Sequence, residues 1–376
     1  MIYLDYTSTT PVRDEVLESF IKTTKNFWGN PSSIHKLGLI SENLLTMARG
    51  QMKDLIDAKN YEVIFTGSAT EASNLAIKGI CFQNATRGKH IITTLVEHPS
   101  VFNTFKQLES EGYEVTFLQV DKDGRINVED LEKSLRDDTI LVSIMYVNNE
   151  IGTIMPIEEI GEILSKFPKI AYHVDIVQAL GRLPVRLADM QIDLATLSAH
   201  KIYGLKGSGA LFIKKGLMLK PQQIGGSQEF NLRAGTVDVP SCVALAKAMR
   251  LIIEDIDENY KYVKRLNIQL RKILSNYQQI VINSPIENCS PFIINCSLRG
   301  IKSETFVHAF EKSKIYFSTK SACSSKKNEP SRILRAIGLD EELSTNEIRF
   351  SLSHLTTSQE IITFENTLQE VIKELK

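Results

Sequence analysis

From Glu62 to about Ile213 the chain alternates short apolar runs with amphipathic stretches. The runs are EVIFT, HIITT, VTFLQV, TILVSIM, IAYHV, LATLS and GALFI, and patterns of helical period such as residues 69–79 and 156–165 lie between them. Apolar runs of strand length spaced by helices predict an α/β fold, with a largely parallel sheet covered by helices on both faces. The first fifty-odd residues read as helical, with Asn30-Pro31-Ser32-Ser33 as a turn and cap before a long periodic stretch ending near Ala58. Another long helical pattern follows Val239-Pro240 and runs to about Ser275. Beyond it the texture changes. QIVIN, PFIINCSL and IRFSL read as strands and residues 302–313, 330–337 and 357–374 as amphipathic helices, which predicts a smaller α+β domain.

With 376 residues the chain is long enough for two domains of about 150 residues each, possibly three, and buries a core without covalent staples. Lys+Arg (44) against Asp+Glu (45) leaves a formal charge of -1, so nothing in the charge balance is set aside for neutralising phosphates, and direct nucleic-acid binding is not expected. No apolar run approaches the ~20 residues of a membrane span. The start Met1-Ile2-Tyr3-Leu4-Asp5 has neither a basic n-region nor a cleavage site, which predicts a soluble, cytoplasmic protein. Cys81, Cys242, Cys289, Cys296 and Cys323 are odd in number and form no C-x-x-C pair. They predict neither a disulfide framework nor a metal site, and leave at least one thiol for chemistry.

In an open α/β sheet, ligands sit beyond the carboxyl ends of the strands. Those positions hold Gly67-Ser68-Ala69-Thr70-Glu71, Glu97-His98, Asn148-Asn149-Glu150, Asp175 with Gln178, and Ser198-Ala199-His200-Lys201. Five polar strand ends in succession are what a bound polar cofactor requires. Ala69 and Thr70 open a helix and are placed to hold a phosphate, though the Walker spacing is absent and a simple N-cap is the plain alternative. Lys201, at a strand end beside Ser198 and His200, suits a Schiff base once desolvation lowers its pKa; most lysines are merely solvated. Asp175 suits an ion pair with a pyridinium nitrogen, or else another N-cap. His98 suits ring stacking or proton transfer, against the commoner structural role. Arg349, in the strand-like IRFSL, offers a bidentate fork for a carboxylate, or a surface ion pair. Cys323 lies in a polar, lysine-flanked stretch that favours thiolate, where an incidental loop cysteine is the alternative.

These residues fall in a pattern that resembles the cysteine desulfurases, fold-type I, class V pyridoxal-phosphate enzymes. The carriers are YLDY at 3–6 with TTP at 9–11, GNPSS with His35, ATE at 69–71, EH at 97–98, NNEIG at 148–152, HVD with Gln178, SAHKIYG at 198–204, RAGT at 233–236, SAC at 321–323 and IRFSL at 348–352. The resemblance implies a large cofactor domain at residues 13–255 with a mainly parallel seven-stranded sheet, and a small α+β domain formed by residues 1–12 and 256–376. It implies that pyridoxal 5'-phosphate is bound through Lys201, that Asp175 pairs with its ring nitrogen, that Gln178 bonds the ring hydroxyl and that His98 stacks on the ring. Ala69, Thr70, Ser198 and His200 would hold the phosphate, joined by Thr236 from the other subunit of a homodimer. Asn149 and Arg349 would hold the substrate carboxylate, and Cys323 would be the nucleophile. The SAC segment followed by EPSRILRAIGL resembles the housekeeping branch. Ser8, Ile176, Leu205, Lys320 and His354 depart from the usual pattern, and none removes a catalytic group.

The implied reaction takes L-cysteine to L-alanine and leaves sulfur as a persulfide on Cys323, for a sulfur-acceptor protein of cluster assembly or tRNA and cofactor thiolation. A class V aminotransferase or selenocysteine lyase, or a scaffold that relays sulfur without turnover, are the alternatives at this point.

Overall fold

The structure is a computed structural model that describes residues 1–319 and 329–375. After a short first strand, β1 (Ile2–Tyr3), the seven apolar runs form β2 (Tyr61–Thr66), β3 (His90–Thr94), β4 (Glu114–Leu118), β5 (Thr139–Met145), β6 (Ala171–Asp175), β7 (Leu194–Ser198) and β8 (Gly209–Lys214). They make one sheet in the order β2-β8-β7-β6-β5-β3-β4. Only β8 opposes its neighbours; it is antiparallel to both β2 and β7, so β2 runs with the rest. The carboxyl ends of β2, β3, β5, β6 and β7 therefore gather along one edge. Every residue of β3, β5, β6 and β7 is buried, which is why these strands read as continuous apolar runs rather than as alternating ones.

The helix Ala69–Gln83 crosses the sheet on a face of small and branched residues, among them Ala72, Leu75, Ala76 and Ile80. It starts where it does because Ser68 caps it: the Ser68 hydroxyl accepts the Glu71 N–H at 3.1 Å, and Glu71 returns a carboxylate to the Gly67 N–H at 2.7 Å. Beyond residue 255 the chain adds β9 (Ile280–Ile282), β10 (Ile293–Leu298), β11 (Ile315–Tyr316) and β12 (Glu347–Ser351). Strands β12, β10 and β9 form an antiparallel sheet, while β11 pairs in parallel with β1. The chain's first residues are thereby drawn back to its last quarter.

Three details differ from the sequence reading. The turn at residues 30–33 forms, with Asn30 Oδ1 accepting the Ser32 N–H, but the cap of the following helix Lys36–Leu55 is His35, whose Nδ1 accepts from Gly38 N–H at 3.2 Å. The helical stretch expected from Val239 to Ser275 is two helices, Val239–Glu254 and Ile256–Leu274, parted at Asp255. Asp255 is a poor helix former, and Asp257 and Glu258 suit the positive start of a new helix. A short helix at Glu341–Thr345 carries too few turns to show a period, and none was expected there. Among the described residues no helix is long and apolar enough to cross a membrane.

Candidate active site

Strand β7 ends at Ser198 and the chain turns at once through a single 3-10 turn, Ala199–Lys201. The turn is held by the N-terminal segment. Thr10 donates its N–H and its hydroxyl to the His200 carbonyl at 3.0 and 2.9 Å, and the Thr10 oxygen accepts the Tyr203 N–H at 2.9 Å. Tyr203 itself has φ 62, a left-handed conformation made tolerable by these bonds. Lys201 Nζ donates to the carbonyls of Thr7 and Ser8, each at 2.6 Å. Backbone acceptors of this kind leave no residue-type signal, so the role of the Thr7–Ser8 strap was invisible in the sequence.

Asp175 ends β6, beside Met145 of β5 and Thr196 of β7. Burial raises its pKa to about 6, opposed by the Val177 N–H it accepts at 2.9 Å and by the nearby Lys201 charge. Gln178 is oriented by its neighbours, its oxygen accepting from Arg182 and its Nε2 donating to the Thr7 carbonyl at 3.2 Å. His98 caps the helix Pro99–Ser110, with Nδ1 accepting the Ser100 N–H at 3.2 Å. That bond needs the Nδ1 lone pair, so the neutral ring carries its proton on Nε2. Burial, then the charges of Lys201, Arg332 and Arg349, push the His98 pKa down to about 4. The same causes act on His200, whose pKa falls to about 4 through burial, Lys201 and Lys206.

Arg349 crosses from β12 to the same place and is 2% exposed. Its Nη1 donates to the Asn149 carbonyl at 2.9 Å, and its Nη2 to Ser8 Oγ at 2.8 Å and Asp5 Oδ1 at 3.1 Å. Arg349 Nε and Asn149 Oδ1 are both buried without a partner among the described residues.

Every expected site residue among the described ones, apart from Thr236, lines one cavity of about 300 Å³. Thr7, Ser8, Ser68, Ser100, Met145 and Val177 complete its wall. Thr236 is exposed and stands away from this cavity, while Cys323 lies outside the described residues. The close approach of the start of β8 to the phosphate-type turn demands glycine: a Cβ on Gly209 would stand 2.7 Å from the Ser68 carbonyl carbon and 3.0 Å from the Ala69 nitrogen. The arrangement offers an amine and a buried acid at neighbouring strand ends, a helix N-terminus for an anion, and a guanidinium for a carboxylate. Three buried polar atoms of its wall residues, Thr7 Oγ1, Asn149 Oδ1 and Arg349 Nε, have no partner among the described residues, which is what a polar ligand would satisfy.

The class-V aminotransferase family matches residues 2–364. The cysteine desulfurase IscS of Dictyoglomus turgidum is 41% identical over 376 residues, all of this chain and 95% of that protein. A solved NifS-like protein superposes with a TM-score of 0.93 at 34% identity, over 99% of both chains. The structure of SspA in complex with cysteine superposes with a TM-score of 0.83 at 33% identity, over 94% of this chain and 99% of that one. The seven-stranded sheet and its order of elements are those of the NifS-like pyridoxal-phosphate fold. A match that runs through every strand end described above, at this identity and over the full length, makes the chain a class-V aminotransferase family member and, within it, a cysteine desulfurase.

Proposed function

We propose that the cavity binds pyridoxal 5'-phosphate and that the chain converts L-cysteine to L-alanine, leaving sulfur on Cys323 for an acceptor protein. The observation that carries this is the convergence of Lys201, Asp175, the 69–70 helix start and Arg349 on one cavity of about 300 Å³. Lys201 Nζ is the attachment point for the cofactor. Asp175 would pair with its ring nitrogen, Gln178 would bond the ring hydroxyl, and the His98 imidazole would stack on the ring. The backbone at Ala69 and Thr70, with Ser198 and His200, holds the phosphate at a helix N-terminus. When bound, the cofactor supplies a conjugated ring that takes up the electron pair of a broken Cα–H bond.

Arg349 and Asn149 fix the substrate carboxylate, which points Cα toward Lys201. Lys201 Nζ takes the Cα proton, and His98, neutral well above its pKa of about 4, relays a proton at Nε2. The Cys323 thiolate attacks the substrate sulfur; an S–S bond forms, the Cβ–S bond breaks, and the pair left on Cβ takes up a proton. Cysteine plus thiol thus gives alanine plus persulfide with no external oxidant. The other thiols are poorly suited: burial raises the pKa of Cys81, Cys242, Cys289 and Cys296 alike, that of Cys289 to about 11.

The large unit spans residues 13–255 and the small one residues 1–12 with 256–376, a division supported by the pairing of β1 with β11 and by the helix break at Asp255. A homodimer would cover exposed apolar side chains such as Ile34 at 96%, Ile224 at 90% and Trp28 at 74% exposure. The acceptor is a cytoplasmic protein of iron-sulfur cluster assembly or tRNA and cofactor thiolation.

Treating the protein with L-cysteine, quantifying alanine and mapping added sulfur by peptide mass spectrometry tests the reading. Sulfur is expected on the Cys323 peptide, and Cys323→Ser should keep its cofactor yet release no alanine. Sulfur on Cys81, Cys242, Cys289 or Cys296, or full alanine release by the serine variant, would remove Cys323 as the residue that accepts the sulfur.

A further inference from the structure

Arg349 is a long side chain with a planar head, and a carboxylate is recognised only if that plane is set before the substrate arrives. We propose that Ser8 is a positioning residue for carboxylate recognition, its hydroxyl setting the orientation of the Arg349 guanidinium. The inference deepens the proposed function and rests on Arg349 being the carboxylate site.

Three acceptors from two separate parts of the chain hold the guanidinium. Asn149 O takes one Nη1 hydrogen at 2.9 Å, and Ser8 Oγ and Asp5 Oδ1 take Nη2 at 2.8 and 3.1 Å. The Ser8 oxygen stands among three partners, Asp5 Oδ1, Arg349 Nη2 and, at 3.4 Å, the Ser318 hydroxyl. The Ser8 hydroxyl donates to Asp5 Oδ1 at 2.8 Å, and so turns a lone pair toward Arg349. Its own position is fixed by the backbone: Ser8 N–H donates to the Asp5 carbonyl at 3.0 Å, Thr7 N–H to Ser351 Oγ at 2.9 Å, and Ser351 N–H to the Leu4 carbonyl at 2.7 Å. Asp5 and Ser8 thus belong to a strap clamped onto the strand that carries Arg349, next to it in register.

Of this group, Ser8 and Arg349 line the cavity and Asp5 does not. Asp5 stabilises the charge from behind, and Ser8 stands between that carboxylate and the space a substrate enters. Among the described residues the Nε hydrogen of Arg349 and Oδ1 of Asn149 have no partner while the three bonds hold the plane. Removing the Ser8 hydroxyl leaves the charge and the bonds to Asn149 and Asp5 in place but takes away the shortest of the three, so the guanidinium plane is held less tightly. The loss falls on ground-state binding of the carboxylate, not on the chemical step, so it is read in KM rather than kcat.

The test uses the cofactor-loaded protein. Ser8→Ala is expected to raise KM for L-cysteine by about three- to tenfold, with kcat changed less than about twofold. Calorimetric titration with L-alanine should weaken by a similar factor, whereas binding of L-alaninamide, which lacks the carboxylate, should not change. Ser8→Thr, which keeps the hydroxyl, should recover the preference for alanine over alaninamide; a merely structural role would not follow the hydroxyl in this way. Unchanged discrimination in Ser8→Ala would overturn the inference. Arg349→Lys separates the two levels: if it also leaves discrimination intact, Arg349 is not the carboxylate site, and if it alone abolishes it, only the role of Ser8 falls.

Discussion

Glu97 shows how a single buried group records the demands of this site. It directly precedes His98 and is fully buried, with Oε1 accepting the Thr94 hydroxyl at 2.9 Å and the Met145 N–H at 3.0 Å while Oε2 has no partner among the described residues. Burial raises its pKa from 4.5 to about 8, only partly opposed by those two bonds, so the side chain is a neutral acid at pH 7. The sign of the linkage follows. Below 4.5 folded and unfolded chains both hold the proton; between 4.5 and about 8 only the folded chain does, so stability is full in acid and is lost as pH rises toward 8. Glu97→Gln preserves the shape and the two accepted bonds but cannot ionise. Its stability relative to wild type is expected to improve between pH 5 and pH 8.5, by on the order of 2 to 4 kcal/mol. Denaturant unfolding at the two pH values checks this, and equal differences at both would mean that Glu97 does not titrate in that range.

At the scale of elements, what was legible followed from burial. β3, β5, β6 and β7 are covered on both faces and so announce themselves as apolar runs, and the polar residues at or a few positions beyond their ends, His98, Asn149, Asp175 and Ser198, line a cavity rather than the core. Lys201, Asp175, His98 and Asn149 were readable for that reason: residue type and strand-end position were both in the sequence. The strap at Asp5–Thr10 was not, because it has no period and works largely through the carbonyls of Thr7 and Ser8. The two-residue pairing of β1 with β11 was too short to register. The junction of β2, β7 and β8 makes a prediction of its own. Gly209 faces Thr66 and Ser198 across two strand pairs, and an added Cβ would meet the Ser68 carbonyl carbon at 2.7 Å and the Leu197 oxygen at 2.8 Å. Those are backbone atoms and cannot swing aside. Gly209→Ala is therefore expected to destabilise the fold by about 1 to 3 kcal/mol and to displace the 68–70 turn. Cofactor affinity should fall about tenfold or more, measured by titrating the cofactor-free protein with pyridoxal phosphate. An unchanged affinity would show that this turn does not carry the phosphate.

The whole molecule poses the question that one chain leaves open, which is where Thr236 acts. The chain leading into it is anchored twice, by Arg233 to Glu71 at 2.8 Å and by the buried Glu229 to Arg49, whose guanidinium also lies over the Phe230 ring. Thr236 is exposed at the surface and is not part of the wall of its own chain's cavity. An exposed residue outside its own cavity is suited to reach into a second copy, and an isologous dimer would supply two such reaches related by symmetry. Hybrid dimers decide the matter. Thr236→Asp, which sets a negative charge against the phosphate, and Lys201→Ala, which removes the attachment amine, should each be inactive as homodimers. If the site is shared, a hybrid of the two carries both lesions in one cavity and none in the other, and should show about half the wild-type activity per dimer. If each chain completes its own site, both cavities of the hybrid carry one lesion and mixing restores nothing, which would confine Thr236 to its own subunit and remove it from the phosphate site.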